Sequence, residues 1–139
     1  MATIEQVVTQ VQTYMATLSG IRSAPSSPPD SLGGLPMAVC IPQRGRWSVG
    51  SQSKKGLHAI VIDIHISRKD APRDYKAFVP YIESVPNLLF SELLNGKWDG
   101  LVDTIGDIEY ATTTFDYAGM ETVGLRFTVT DIKMISAIT

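Results

Sequence analysis

The chain has 139 residues, 44% of them hydrophobic and 19% charged, and a formal net charge of −2. A single domain of this size buries roughly 68% of its unfolded surface without a disulfide or metal staple, and the composition argues against a disordered or fibrous chain. The charge lacks the basic excess of a typical nucleic-acid binder.

The first residues, MATIEQVVTQ, carry Glu5 and no basic stretch followed by an apolar block, so no secretory signal is expected. No apolar run approaches the ~20 residues of a membrane span. Ile4, Val7, Val8, Val11, Met15 and Leu18 recur at helical spacing, with Thr3 placed to cap the helix and Ser19-Gly20 to stop it. The segment from Arg22 to Gly34, rich in Pro, Gly and Ser, reads as an extended loop within one domain. A short strand follows near 37–41. It contains Cys40, the only cysteine, which rules out an internal disulfide and fits a reducing compartment; flanked by apolar residues, it reads as a packed, inert thiol.

A long polar loop is expected at about 42–55, with four cations (Arg44, Arg46, Lys54 and Lys55), no anion, and Trp47 among them. Unstructured segments of this length inside a compact domain are usually functional, which points to a partner. Ile60, Ile62, Ile64 and Ile66 then alternate along one face of a strand. Asp70 can cap a following helix with Pro72 in its first turn. Pro80 and Pro86 predict a broken helix, one piece over 72–79 and a second from Pro86, in which Leu88, Leu89, Phe90, Leu93 and Leu94 face the sheet and Gly96 ends the helix. From Val102 the period returns to two, predicting a hairpin that turns at Tyr117-Ala118-Gly119.

His58 and His65 are seven residues apart in one strand and point to opposite faces, so they cannot share a metal. Asp63 and His65 share a face and could make an oriented base, but no nucleophile motif accompanies them, and an ordinary, partly exposed strand face is the simpler reading. Ser31-Leu32-Gly33-Gly34-Leu35 lacks the lysine and spacing of a phosphate loop. Asp99, Asp103, Asp107, Glu109, Asp116 and Glu121 form an acidic stretch without an intervening Lys or Arg, and without the spacing of an EF-hand. Neither a catalytic residue nor a cofactor is expected. The acidic stretch reads equally as a solvated face or as an electrostatic surface. The basic loop around Trp47 could either stack on and neutralise a nucleic-acid backbone or dock on an acidic protein surface such as this stretch of a second copy.

The expected fold is α+β: a mainly antiparallel sheet of four to five strands (near 37–41, 56–66, 104–115 and 121–134) with the N-terminal helix and the broken helix packed on it. An N-terminal amphipathic helix, the strand Ile60–Ile66 running into Arg68-Lys69-Asp70-Ala71-Pro72-Arg73, a helical region ending in Leu93-Leu94-Asn95-Gly96, and a hairpin around Tyr117-Ala118-Gly119 alternating up to Val129 follow in that order. This succession resembles the tail terminator proteins of long-tailed bacteriophages; the long basic loop and the two prolines are departures from it. The resemblance implies a structural virion protein, assembled in the host cytoplasm, of which six copies close a ring on the tail tube. It also implies contacts with the tube protein and a head completion or connector protein, with DNA only as cargo in the lumen and no membrane. In that setting Arg44, Arg46, Trp47, Lys54 and Lys55 would meet Asp103, Asp107, Glu109, Asp116 and Glu121 of a neighbour. Two other roles suit the same elements: another neck or tail component, such as a head-tail adaptor or tail completion protein, or a small enzyme or ligand-binding domain using Asp63 and His65.

Overall fold

Helix α1, Ile4–Ala16, starts where Thr3 and Gln6 cap one another reciprocally: the Gln6 N–H donates to Thr3 Oγ1 and the Thr3 N–H to Gln6 Oε1, at 3.2 and 2.9 Å. The computed structural model describes residues 3–22, 24, 34–49, 53–68, 78–117 and 119–137. After α1 come β1 (Met37–Val49), β2 (Ser53–Arg68), α2 (Val79–Gly100), β3 (Ile108–Tyr117) and β4 (Met120–Ala137). The four strands form one antiparallel sheet in the order β1-β2-β4-β3, so the α+β expectation holds with four strands.

One face of the sheet carries both helices. Ile60, Ile62, Ile64 and Ile66 of β2 lie beside Val123, Leu125, Phe127 and Val129 of β4, under Val7, Val11 and Met15 of α1 and Val85 and Leu89 of α2. Strand period two and helix period near four thus bring their apolar faces into a single core.

Several expectations need correcting. The loop placed at about 42–55 is strand for residues 42–49 and 53–55, because β1 and β2 continue as one long hairpin. Glycine and arginine in Arg44-Gly45-Arg46 hide the strand alternation, and pairing along β2 overrides their weak β preference. The helix does not break at Pro86, which lies inside α2, while Pro80 sits in its first turn where a donor is not needed. An internal proline costs about 3 kcal/mol, and full burial of Val85 and Leu89 at roughly 1.5–3 kcal/mol each offsets it. The first helical piece up to residue 77, its Asp70 cap and the hinge from Lys69 onward fall outside the described residues.

The right-handed helix ends at Gly96, where the sequence placed its stop, and a turn of the opposite hand follows. Lys97, Trp98 and Asp99 all take positive φ, followed by Gly100 at φ 75°. Such a turn costs non-glycine residues roughly 1–2 kcal/mol each. It aims Trp98 into the core, where it is fully buried and its Nε1 donates to the Leu89 carbonyl at 2.9 Å.

Of the five apolar residues expected to face the sheet from α2, Leu89 is fully buried and Leu88 and Leu93 partly so, while Phe90 is exposed and Leu94 is 86% exposed. Leu89→Ala should therefore destabilise the subunit by about 2–5 kcal/mol, and Leu94→Ala by less than about 0.5 kcal/mol. Urea denaturation of the two variants checks this; equal effects would mean that α2 is rotated from the orientation described.

Candidate functional site

The cations expected to act together lie on the outer half of the β1–β2 hairpin. Arg44 and Arg46 are exposed on β1, opposite Ala59 and Leu57, and the backbones of Lys54 and Lys55 pair with Val49 and Ser48. Trp47 is 39% exposed and meets the buried His58 ring edge-on, centroids 4.6 Å apart. Gly45 and Gly56 make room for this pair: a side chain at Gly45 would collide with His58 Nδ1, and one at Gly56 with both rings. The hairpin's outer half is therefore a packed ribbon and not a polar excursion.

The ribbon begins where both neighbours of β2 bulge. Gln43 is extra in β1 between Pro42 and Arg44, and β4 gains a residue over Thr130 and Asp131, where Asp131 adopts φ 55°. Paired bulges at one level increase twist and bend the sheet. A cavity of about 400 Å³ opens there, lined by Arg44, Arg46, Leu57, Ala59 and Asp131 among others.

The acidic residues lie elsewhere. Glu109 and Asp116 are exposed on β3, the opposite edge of the sheet from β1, with Asp107 exposed just before it and the exposed Glu121 paired directly across from Asp116. Asp103 belongs to a different contact, an ion pair with Lys97 at 3.2 Å. Arg44 and Arg46 thus lie on one edge of the sheet and Glu109 and Asp116 on the opposite edge.

Asp63 and His65 are on the face of β2 turned away from the helices. That face is not partly exposed as expected: the two residues are 5% and 2% exposed. Burial there is tolerated because each polar group has a cross-strand partner. Arg126 grips Asp63 through Nε and Nη2, at 2.7 and 2.9 Å, and stacks its guanidinium 5.5 Å from the Phe115 ring centre. His65 Nδ1 and Thr122 Oγ1 are 2.7 Å apart, and the imidazole packs on Phe115. The bond to Asp63, more than burial opposes it, holds the Arg126 pKa above its ordinary value. Burial pushes the His65 pKa down; Asp63 partly counteracts this and Arg126 reinforces it. Asp63 is thereby committed to a structural ion pair, and neither it nor His65 lines the cavity at the bulges. His58 points to the other face, as predicted, and burial lowers its pKa too.

Cys40 is buried, and desolvation, with the Asp63 charge, raises its pKa, so the thiol stays protonated as the sequence suggests. Among the described residues, no group of three or more His, Cys, Asp or Glu could hold a metal ion, and no helix is long and apolar enough to cross a membrane. No family model matches the chain, and neither does any curated protein.

Both histidines have folded pKa values below the ordinary 6.5, so the unfolded chain binds more protons as pH falls. Their neutral forms contribute stability that is complete above pH ~6.5 and is lost as pH drops through the folded values. Thermal melts from pH 7.5 down to 5 should show a falling Tm, with a shallower fall in His65→Asn. An unchanged slope in that variant would remove His65 as a source of the acid sensitivity.

Proposed function

We propose that this protein is a bacteriophage tail terminator, a structural subunit whose copies close a ring on the end of the tail tube and present the surface joined by the head. The observation that carries the reading is the placement of opposite charge on opposite edges of one sheet, Arg44 and Arg46 on β1 and Glu109 and Asp116 on β3. A body basic at one edge and acidic at the other complements its own copy head to tail. Contacts of that heterologous kind close a ring when the rotation between copies divides a full turn. An isologous dimer would instead set like charges against each other.

The order of elements supports the same role, since helix, long strand, helix and hairpin is the succession on which the resemblance rests. In this role six copies form the ring, the tube protein and a head completion or connector protein are its neighbours, and DNA passes through the lumen as cargo. The subunit is assembled in the host cytoplasm and carried in the virion. The role asks for binding surfaces and a stable body, with Asp63 and His65 serving the body.

Light scattering and negative-stain electron microscopy of the purified protein test the reading, which expects closed rings of several copies. A monomer at about 100 μM in low salt would overturn it. Exposed ion pairs are worth about 0.2–1 kcal/mol each and are screened over about 8 Å at physiological ionic strength, so they orient copies more than they hold them. Reversing Arg44, Arg46, Lys54 and Lys55 to Glu should lower the assembled fraction most at low salt, while far-UV circular dichroism stays that of the parent. Assembly equal to the parent at low salt would leave this charge asymmetry without a role.

A further inference from the structure

We infer that neighbouring copies join edge to edge, the outer half of β1 in one copy pairing with β3 of the next, so that one antiparallel sheet runs on from copy to copy. This deepens the ring reading and rests on it.

The two edges differ in how they are protected. Along the inner half of β1, the Gln12 side chain of α1 accepts from the Cys40 N–H and donates to the Ala38 carbonyl at 3.1 Å. Pro42 then offers no donor, and the bulge at Gln43 breaks the register. These are the devices by which sheets close an edge. Past the bulge they stop, and Arg44, Gly45, Arg46 and Ser48 are exposed. Strand β3 has no proline and no bulge. Its ten residues pair with β4 without a register shift and include no Pro, Lys or Arg, and Tyr110, Ala111, Thr112 and Thr114 are exposed. A regular edge of this length, rich in threonine and carrying only the acidic Glu109 and Asp116, is a template for a strand of opposite charge.

Direction and charge select the partner edge. Three antiparallel steps separate β1 from β3, so the two outer strands run in opposite directions. A copy rotated about an axis along the strands therefore brings its β3 antiparallel to β1, continuing the pattern. Pairing β1 with another β1 would oppose arginine to arginine, and like charges facing across strands are unfavourable. Pairing β1 with β3 instead places Arg46 within diagonal reach, about 7–8 Å, of Glu109.

The register follows from the alternation of backbone groups. Ala38 C=O and Cys40 N–H point away from β2, which fixes the phase of every ladder across the sheet and leaves Tyr110 and Thr112 pointing their backbone groups off β3. Setting Trp47 opposite Tyr110 brings together two of the most exposed aromatic side chains, 39% and 54% exposed, on the same face of the sheet. It also sets the small Gly45 opposite Thr112, and Ser48 opposite Glu109 at a close pair with Cα atoms about 4.5 Å apart.

That spacing suits a disulfide. The double variant Ser48→Cys, Glu109→Cys, mildly oxidised while assembled, should give a ladder of covalent dimers, trimers and larger species on a non-reducing gel, and each single variant no ladder. Thr112→Pro should fold, because its N–H does not serve the β3–β4 ladder, yet stay monomeric at concentrations where the parent assembles. Rings without a ladder, together with a Thr112→Pro variant that assembles like the parent, would overturn the edge pairing and leave the ring reading standing. A parent that never assembles would overturn both.

Discussion

Strand β2 sits between β1 and β4 with both of its faces buried, and the rest of the structure answers to that position. Its isoleucines supply the core under the helices, and its other face carries Asp63 and His65, which cannot be buried without partners. Both partners come from one strand: β4 places Arg126 directly across from Asp63 and Thr122 within reach of His65. Phe115 of β3 then covers the Arg126 guanidinium and the imidazole, which ties the outer strand to the same cluster. A register slip of one residue between β2 and β4 would strand a carboxylate among apolar side chains and turn the isoleucines away from the helices. The polar face thus makes the register unique, while the apolar face supplies most of the stability.

That register also decides where the sheet is closed and where it is open. Gln12 is buried in α1 amid apolar residues, and its amide replaces a missing fifth strand for Ala38 and Cys40. The helix therefore does two jobs with one face, packing Val7, Val11 and Met15 on the sheet and closing half of its edge. Beyond the bulges, β1 and β2 continue beside the outer half of β4, with Trp47 packed on His58 over two glycines. The same hairpin carries the exposed arginines, so the basic surface is held by strand pairing and arrives preformed at any contact between copies.

The elements legible in the sequence were those with a strong local period: the capped α1, the isoleucine face of β2, and the β3–β4 hairpin with its Gly119 turn at φ 78°. What the sequence hid depended on partners distant along the chain. Arg44-Gly45-Arg46 looks like a loop until His58 is known to lie over the glycine, and Pro86 looks like a helix break until Val85 and Leu89 are seen buried beside it. Asp63 read as a surface group because its answering charge, Arg126, is 63 residues away. Among the candidate site residues, the separation of basic from acidic groups was legible as composition. Its division between the two sheet edges was not, since strand order is set by tertiary pairing.

The left-handed turn after α2 governs how much of the second edge is left open. By reversing the chain at Lys97–Asp99 and anchoring it with Trp98, the turn lays residues 102–107 along the outer half of β4. There the Asp103 N–H donates to the Lys133 carbonyl and the Lys133 N–H to the Thr104 carbonyl, both at 2.8 Å, and Gly106 and Asp107 exchange bonds with Thr130. Irregular chain thus covers β4 up to the bulge, and only past it does β3 begin, at Ile108 opposite Val129. The open part of β1 lies on the other side of the bulge, beside Gly56 and Leu57. The two open edges are therefore staggered along the strand direction and not level. Pairing between them must shift each copy along the strands relative to the last, which is the shear that a tilted, closed sheet requires.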